Sequence, residues 1–148
     1  MKDAVVLDAG PLGLLCNPNN SRHPTAIRAW VADLMNAGRR VILPEIADYE
    51  IRRELIRIQS HSALILLNLY GTQLEYLPLT TPAMQHAADL WAQARNSGQP
   101  TASASALDCD VILAAQTLTL AVPAIIATTN IAHLSRFAPA ELWQNIIP

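Results

Sequence analysis

Ala4 to Leu7 is a short apolar run without polar alternation, the pattern of a strand buried on both faces of a sheet. It ends at Asp8-Ala9-Gly10-Pro11, which predicts a turn. Ile27, Trp30, Val31, Leu34 and Met35 then recur at helical spacing, opened by Pro24 and closed by Gly38. Val41-Ile42-Leu43 predicts a second strand, stopped by Pro44, and a helix follows over Glu45 to Gln59. Ser62 to Tyr70 predicts another helix, apolar on nearly all sides and ended by Gly71. Leu74 to Leu77 predicts a third strand. Thr81-Pro82 opens an amphipathic helix carrying Ala83, Ala87, Leu90, Trp91 and Ala94, ended by Gly98. Gln99 to Ala106 is small and polar and predicts a loop. Leu107, Val111, Ala115, Leu118 and Val122 predict a last long helix, Ala124 to Ala127 a fourth strand, and Glu141 to Ile147 a short edge strand.

Strands and helices alternate throughout, which predicts an α/β fold: a parallel sheet with helices on both faces, joined by right-handed crossovers. There is no internal repeat, low-complexity tract or linker, so residues 1–148 read as one domain. Sheets of this kind bind ligands at the carboxyl ends of their strands. Two polar segments fall there, Asp8-Ala9-Gly10 and Thr128-Thr129-Asn130.

Composition narrows the setting. Half of the 148 residues are hydrophobic, at 51%, enough for a sizeable core. The most apolar stretch, Leu118 to Ala127, is too short to span a membrane and contains Pro123. Asp3 and Asp8 interrupt any signal-peptide core, so a cytoplasmic protein is expected. Cys16 and Cys109 form no CxxC pair, which fits a reducing compartment. The net charge of −2 does not advertise a polyanion partner. Five of the nine arginines nevertheless lie between Arg39 and Arg57. Ion pairing with Glu45, Asp48 and Glu54 on a solvated helix face is the simpler account, and phosphate binding the alternative.

Candidate chemistry rests on carboxylates. Asp8 closes a buried strand, where it is either a turn residue or a desolvated group in need of a partner. Asp108 and Asp110 stand together at the start of the last helix. One of them suffices as a cap, which frees Asp110 to face the sheet edge. Glu50 lies near the apolar side of its helix, although position alone does not single it out from three neighbouring acids. His23, His61, His86 and His133 have no metal-ligand spacing. Gly10-Pro11-Leu12-Gly13 lacks the length and lysine of a phosphate loop, and no GxSxG or Cys-His pattern suggests a covalent nucleophile. Trp30, Trp91 and Trp143 fall at core-like positions.

At these same residues the chain resembles the PIN-domain family, and within it the VapC-type toxins. Asp8 in VVLDAGPLGLL is similar to the family's first-strand aspartate, and Glu50 in LPEIADYEIRREL to the glutamate of its second helix. Asp110 in DVILAAQTL is similar to the aspartate that opens its Asp-x-x-Ile-Ala-Ala helix. IIATTNIAHLSRF resembles the late strand followed by Thr-x-Asn/Asp. Order and spacing match across nearly the whole chain. Two positions depart: Gly10 stands where many members have a small hydroxyl or amide residue, and the fourth acidic position is Asn130.

The resemblance implies a three-layer α/β/α sandwich with a mainly parallel sheet of four to five strands. It also implies a ribonuclease that hydrolyses RNA by metal-activated water, leaving 5′-phosphate and 3′-hydroxyl ends. Asp8, Glu50 and Asp110 would be its catalytic residues and metal ligands, with Asp108 and Asn130 as further candidate ligands. Oxygen-only ligands suit Mg²⁺ or Mn²⁺. Arg52, Arg53 and Thr129 are candidate RNA contacts. A VapC-type toxin implies an antitoxin partner, and the apolar helix from Ser62 to Tyr70 predicts a surface for that partner or for a homodimer. The alternatives are a non-catalytic PIN-like binding module and an RNA-processing nuclease without an antitoxin.

Overall fold

A computed structural model of the chain describes residues 3–98 and 104–148. Five strands form one wholly parallel sheet in the order β3-β2-β1-β4-β5. They are β1 (Ala4–Leu7), β2 (Val41–Pro44), β3 (Glu75–Leu77), β4 (Ala124–Thr128) and β5 (Ala140–Leu142). The helices among the described residues are α1 (Ala9–Leu15), α2 (Arg22–Asn36), α3 (Glu45–Arg57), α4 (His61–Gln73), α5 (Thr81–Asn96) and α6 (Ala104–Leu118). A 3₁₀ turn at Trp143–Asn145 follows β5.

The unbroken apolar run of β1 has the expected consequence. Alternate side chains serve opposite faces of the sheet. Val5 and Leu7 pack with Val41, Leu43 and Ala127 against Leu12, Leu15, Ile27, Leu34 and Leu67. Ala4 and Val6 pack with Ile42 and Ile126 against Leu90, Leu107, Val111 and Ala114. These two cores make the three layers: α1, α2 and α4 on one side, α5 and α6 on the other. Among the described residues, no helix is long and apolar enough to cross a membrane.

The differences from expectation have identifiable causes. Asp8 to Pro11 does not make an open turn but starts α1, with Asp8 as its N-cap. Proline is tolerated in a first helical turn because its missing N–H has no partner there anyway, and burial of Leu12 and Leu15 outweighs the poor propensity of Gly10 and Gly13. α6 begins at Ala104 rather than Leu107, so Asp108 lies within the helix and is not its cap. The rest of the expected loop, 99–103, lies outside the described residues. At its other end α6 stops at Leu118, short of Val122, because Pro123 disfavours helical backbone in the residue before it. The expected C-terminal strand is shorter, giving way to the 3₁₀ turn. Trp30 and Trp143 are buried with ring centroids 5.5 Å apart, but Trp91 is 36% exposed and carries Arg95 over its ring. α4 buries Ala63 and Leu67 but leaves Ile65 67% and Leu69 45% exposed.

Candidate active site

Asp8 owes its position to β1, which ends at the centre of the sheet's carboxyl edge. Its Oδ1 accepts from the Ala9 amide at 2.7 Å and its Oδ2 from the Thr128 hydroxyl at 2.7 Å. Thr128 ends the adjacent strand β4, so two neighbouring strand ends hold this carboxylate. Burial raises the Asp8 pKa, and those two hydrogen bonds only partly oppose it.

Glu50 reaches the same edge from α3. The helix carries three other acids, and each is engaged elsewhere. Glu45 Oε1 accepts from the Leu79 amide, Asp48 from Arg52 and the Tyr76 hydroxyl, and Glu54 from Arg57. The Glu50 pKa is raised, first by burial and then by the negative charge of Asp8. The Cys109 thiol, which donates to Glu50, and the charge of Arg53 pull it back. Burial, reinforced by Glu50, in turn pushes the Cys109 thiol up to about 11, so it remains a donor at neutral pH.

Asp110 comes from α6. Its pKa is raised to about 6, first by burial and then by Asp8, with Glu50 adding to the effect and His133 and Arg136 opposing it. Three carboxylates from three elements therefore sense one another. Thr128, Cys109, His133 and Arg136 surround them, and sequence reasoning had not assigned these residues a role. Thr128 had a signal, as the polar end of an apolar strand. His133 had none, because histidine spacing says nothing of a partner brought in by another element.

The remaining candidates lie differently. Asp108 is exposed and lines an apolar groove of about 390 Å³ with Met84, Trp91 and Ile112, between α5 and α6. Two residues span about 200° of helix, so Asp108 and Asp110 cannot share a face. Asn130 is exposed, and its Oδ1 accepts from the Ala132 amide, closing its own turn. Arg52 is tied to Asp48 at 2.8 Å. The arginine cluster is divided: Arg39 donates to the Asp3 and Ile147 carbonyls and Arg40 pairs with Glu75, at the opposite end of the sheet from Asp8.

Thr129 lies against Gly10. A Cβ placed on Gly10 would stand 2.9 Å from Thr129 Cγ2 and 3.2 Å from its Cβ, with the hydroxyl nearer still. Two of the three staggered positions on Thr129 thus face Gly10, so every χ1 rotamer keeps a heavy atom toward it. Gly10 is required here by close approach rather than by backbone conformation. Gly10→Ser should cost on the order of 2 kcal/mol, and adding Thr129→Ala should return most of it. Urea melts of the two single variants and the double variant give the coupling; simple additivity would mean that the close approach has no energetic weight.

The donor set suits a hard divalent cation: carboxylate oxygens whose shared charge is unfavourable on its own. Among the described residues, no three His, Cys, Asp or Glu side chains are arranged closely enough to hold a metal ion.

No family model matches the sequence, and no curated protein matches it. Solved structures do match in three dimensions. VapBC2 from Rickettsia felis, bound to a promoter DNA fragment, matches over 95% of this chain and 98% of that one. The TM-score is 0.72 at 15% identity. VapBC-1 from nontypeable Haemophilus influenzae matches over 96% and 99%, with a TM-score of 0.71 at 17% identity. FitAcB from Neisseria gonorrhoeae matches over 96% and 99%, with a TM-score of 0.68 at 17% identity. The fold is PIN-like. In this PIN-like sheet β1 is the central strand and β4 its neighbour, and Asp8 and Thr128 meet at their carboxyl ends.

Proposed function

We propose that the protein is a Mg²⁺- or Mn²⁺-dependent endoribonuclease whose site is Asp8, Glu50 and Asp110. What supports this reading is that carboxylates from β1, α3 and α6 act on one another on a PIN-like fold: burial makes each less acidic, and the charge of Asp8 adds to the effect on Glu50 and Asp110. A cation held there supplies Lewis acidity, activating water for attack and screening the charge that builds on a phosphodiester. The chain's own residues prepare the site. Thr128 and the Ala9 amide fix the rotamer of Asp8, and the Cys109 thiol orients Glu50. Arg53 and Arg136 bring positive charge to an edge that would otherwise repel a polyanion.

The expected products end in 5′-phosphate and 3′-hydroxyl. Single-stranded RNA is the expected substrate, since its backbone is accessible. An antitoxin is the proposed partner, because the similar folds were solved as VapBC and FitAcB. The antitoxin or a second copy of the chain would cover Ile65 and Leu69. A non-catalytic PIN-like module is the second reading, favoured by the engagement of Asn130 in its own turn. Incubation with single-stranded RNA separates the two. Cleavage that requires Mg²⁺ or Mn²⁺, stops with chelator and is lost in Asp8→Ala is the expected result. Binding without cleavage in any divalent metal would leave the binding module.

A further inference from the structure

Tyr49 has no place in the carboxylate cluster, yet it directly precedes Glu50 and is 56% exposed. A tyrosine ring is large and rigid, and an exposed one beside a candidate site offers a face on which a planar group can stack. One turn later, Arg53 places its guanidinium 5.1 Å from the centroid of that ring. The other arginines of α3 are engaged, Arg52 with Asp48 and Arg57 with Glu54. Arg53 makes no ion pair among the described residues. Its positive charge is favoured first by a hydrogen bond to the Tyr49 side chain, with Cys109 and Glu50 adding to it.

An exposed ring and a guanidinium that makes no ion pair among the described residues thus occupy the same i, i+4 face of α3, adjoining the carboxylates. Their chemistry is complementary to one ligand class. A guanidinium binds a phosphate oxygen through its planar fork, and an aromatic ring stacks on any base of an unpaired strand. Neither feature suits a duplex, whose bases are already stacked. We propose that Tyr49 and Arg53 form a platform for one nucleotide of single-stranded RNA beside the carboxylates, with the base stacked on Tyr49 and a phosphate on Arg53. The platform rests on the ribonuclease reading and adds to it how the strand is gripped.

The test is fluorescence anisotropy with labelled single-stranded RNA in Mg²⁺, in an Asp110→Asn background that keeps the RNA intact. A set of oligomers, each lacking one base at a different position, is measured alongside. Tyr49→Leu should weaken binding of intact RNA about tenfold, and Tyr49→Phe should restore it because the ring is kept. On the oligomer lacking the stacked base, Tyr49→Leu should make no difference. Arg53→Gln should weaken every oligomer. Equal loss in Tyr49→Leu on all oligomers, or no loss on intact RNA, would overturn the platform. Cleavage by the wild-type chain is scored separately. Base-dependent binding without any cleavage would sink the nuclease and leave the platform standing.

Discussion

Asp110→Asn should fold normally and lose metal-dependent RNA cleavage by at least about a hundredfold, the upper range for groups that merely support a metal ligand. Asparagine keeps the shape of the side chain and removes one negative charge from the cation site. Asp108→Asn should retain activity, since Asp108 faces the groove toward α5. The metal-free protein offers a second measurement. Burial and the charge of Asp8 raise the Asp110 pKa to about 6 in the fold, from an ordinary value of 3.8. Between those values the folded state binds a proton that the unfolded chain has released, so stability falls as pH rises through that window. The raised pKa values of Asp8 and Glu50 act with the same sign. Denaturant melts in chelator should therefore show the wild type losing on the order of 2 kcal/mol between about pH 4 and pH 7. Asp110→Asn should lose less, and should gain less from added Mn²⁺. Full activity in Asp110→Asn would remove Asp110 from the site. Inactivity in both variants would return Asp108 to it.

The centre of the sheet was legible in the sequence because β1 and β2 are buried on both faces. A run such as Ala4-Val5-Val6-Leu7 has few other uses, and each strand is bounded by glycine, proline or a charged residue. α1 was not legible, because Gly10, Pro11 and Gly13 are turn signals locally and only the burial of Leu12 and Leu15 against the sheet overrides them. The start of α6 was missed for a related reason: Ala and Ser without large apolar residues give no periodicity to read. Among the candidate residues, strand logic puts Asp8 at the sheet edge but leaves a turn aspartate and a functional carboxylate both open. Glu50 becomes distinct from Glu45, Asp48 and Glu54 only when the partners of those three are known. The arginine cluster shows the limit of linear proximity. Arg39 and Arg40 precede a strand that carries the chain across the sheet, so they end at the far side from Arg53.

Gln116→Leu should be among the most destabilising substitutions in the protein, at about 3 kcal/mol. Gln116 is 1% exposed, on α6 about two turns beyond Asp110. Its Oε1 accepts from the Ile46 amide at 3.3 Å, in the first turn of α3. Its Nε2 donates to the Leu77 carbonyl at 2.9 Å and to that of Pro78 at 3.3 Å, at the end of β3. One amide group thus ties α6, α3 and β3 together, satisfying the buried Ile46 amide and two partly buried carbonyls. Leucine fills the volume and leaves those groups unpaired. Gln116→Glu isolates the donor side. A carboxylate can still accept from Ile46, but it turns lone pairs toward two carbonyls, so this variant should be stable only while the acid is protonated. Burial raises the folded pKa of such a group, and its stability should be lost as pH rises through that value. The same tie sets α3 against α6, and hence Glu50 against Asp110, so RNA cleavage should fall in Gln116→Leu even well below its melting temperature. Urea melts and cleavage assays on both variants check this. A Gln116→Leu variant within about 1 kcal/mol of the wild type and fully active would show that packing alone aligns the two helices.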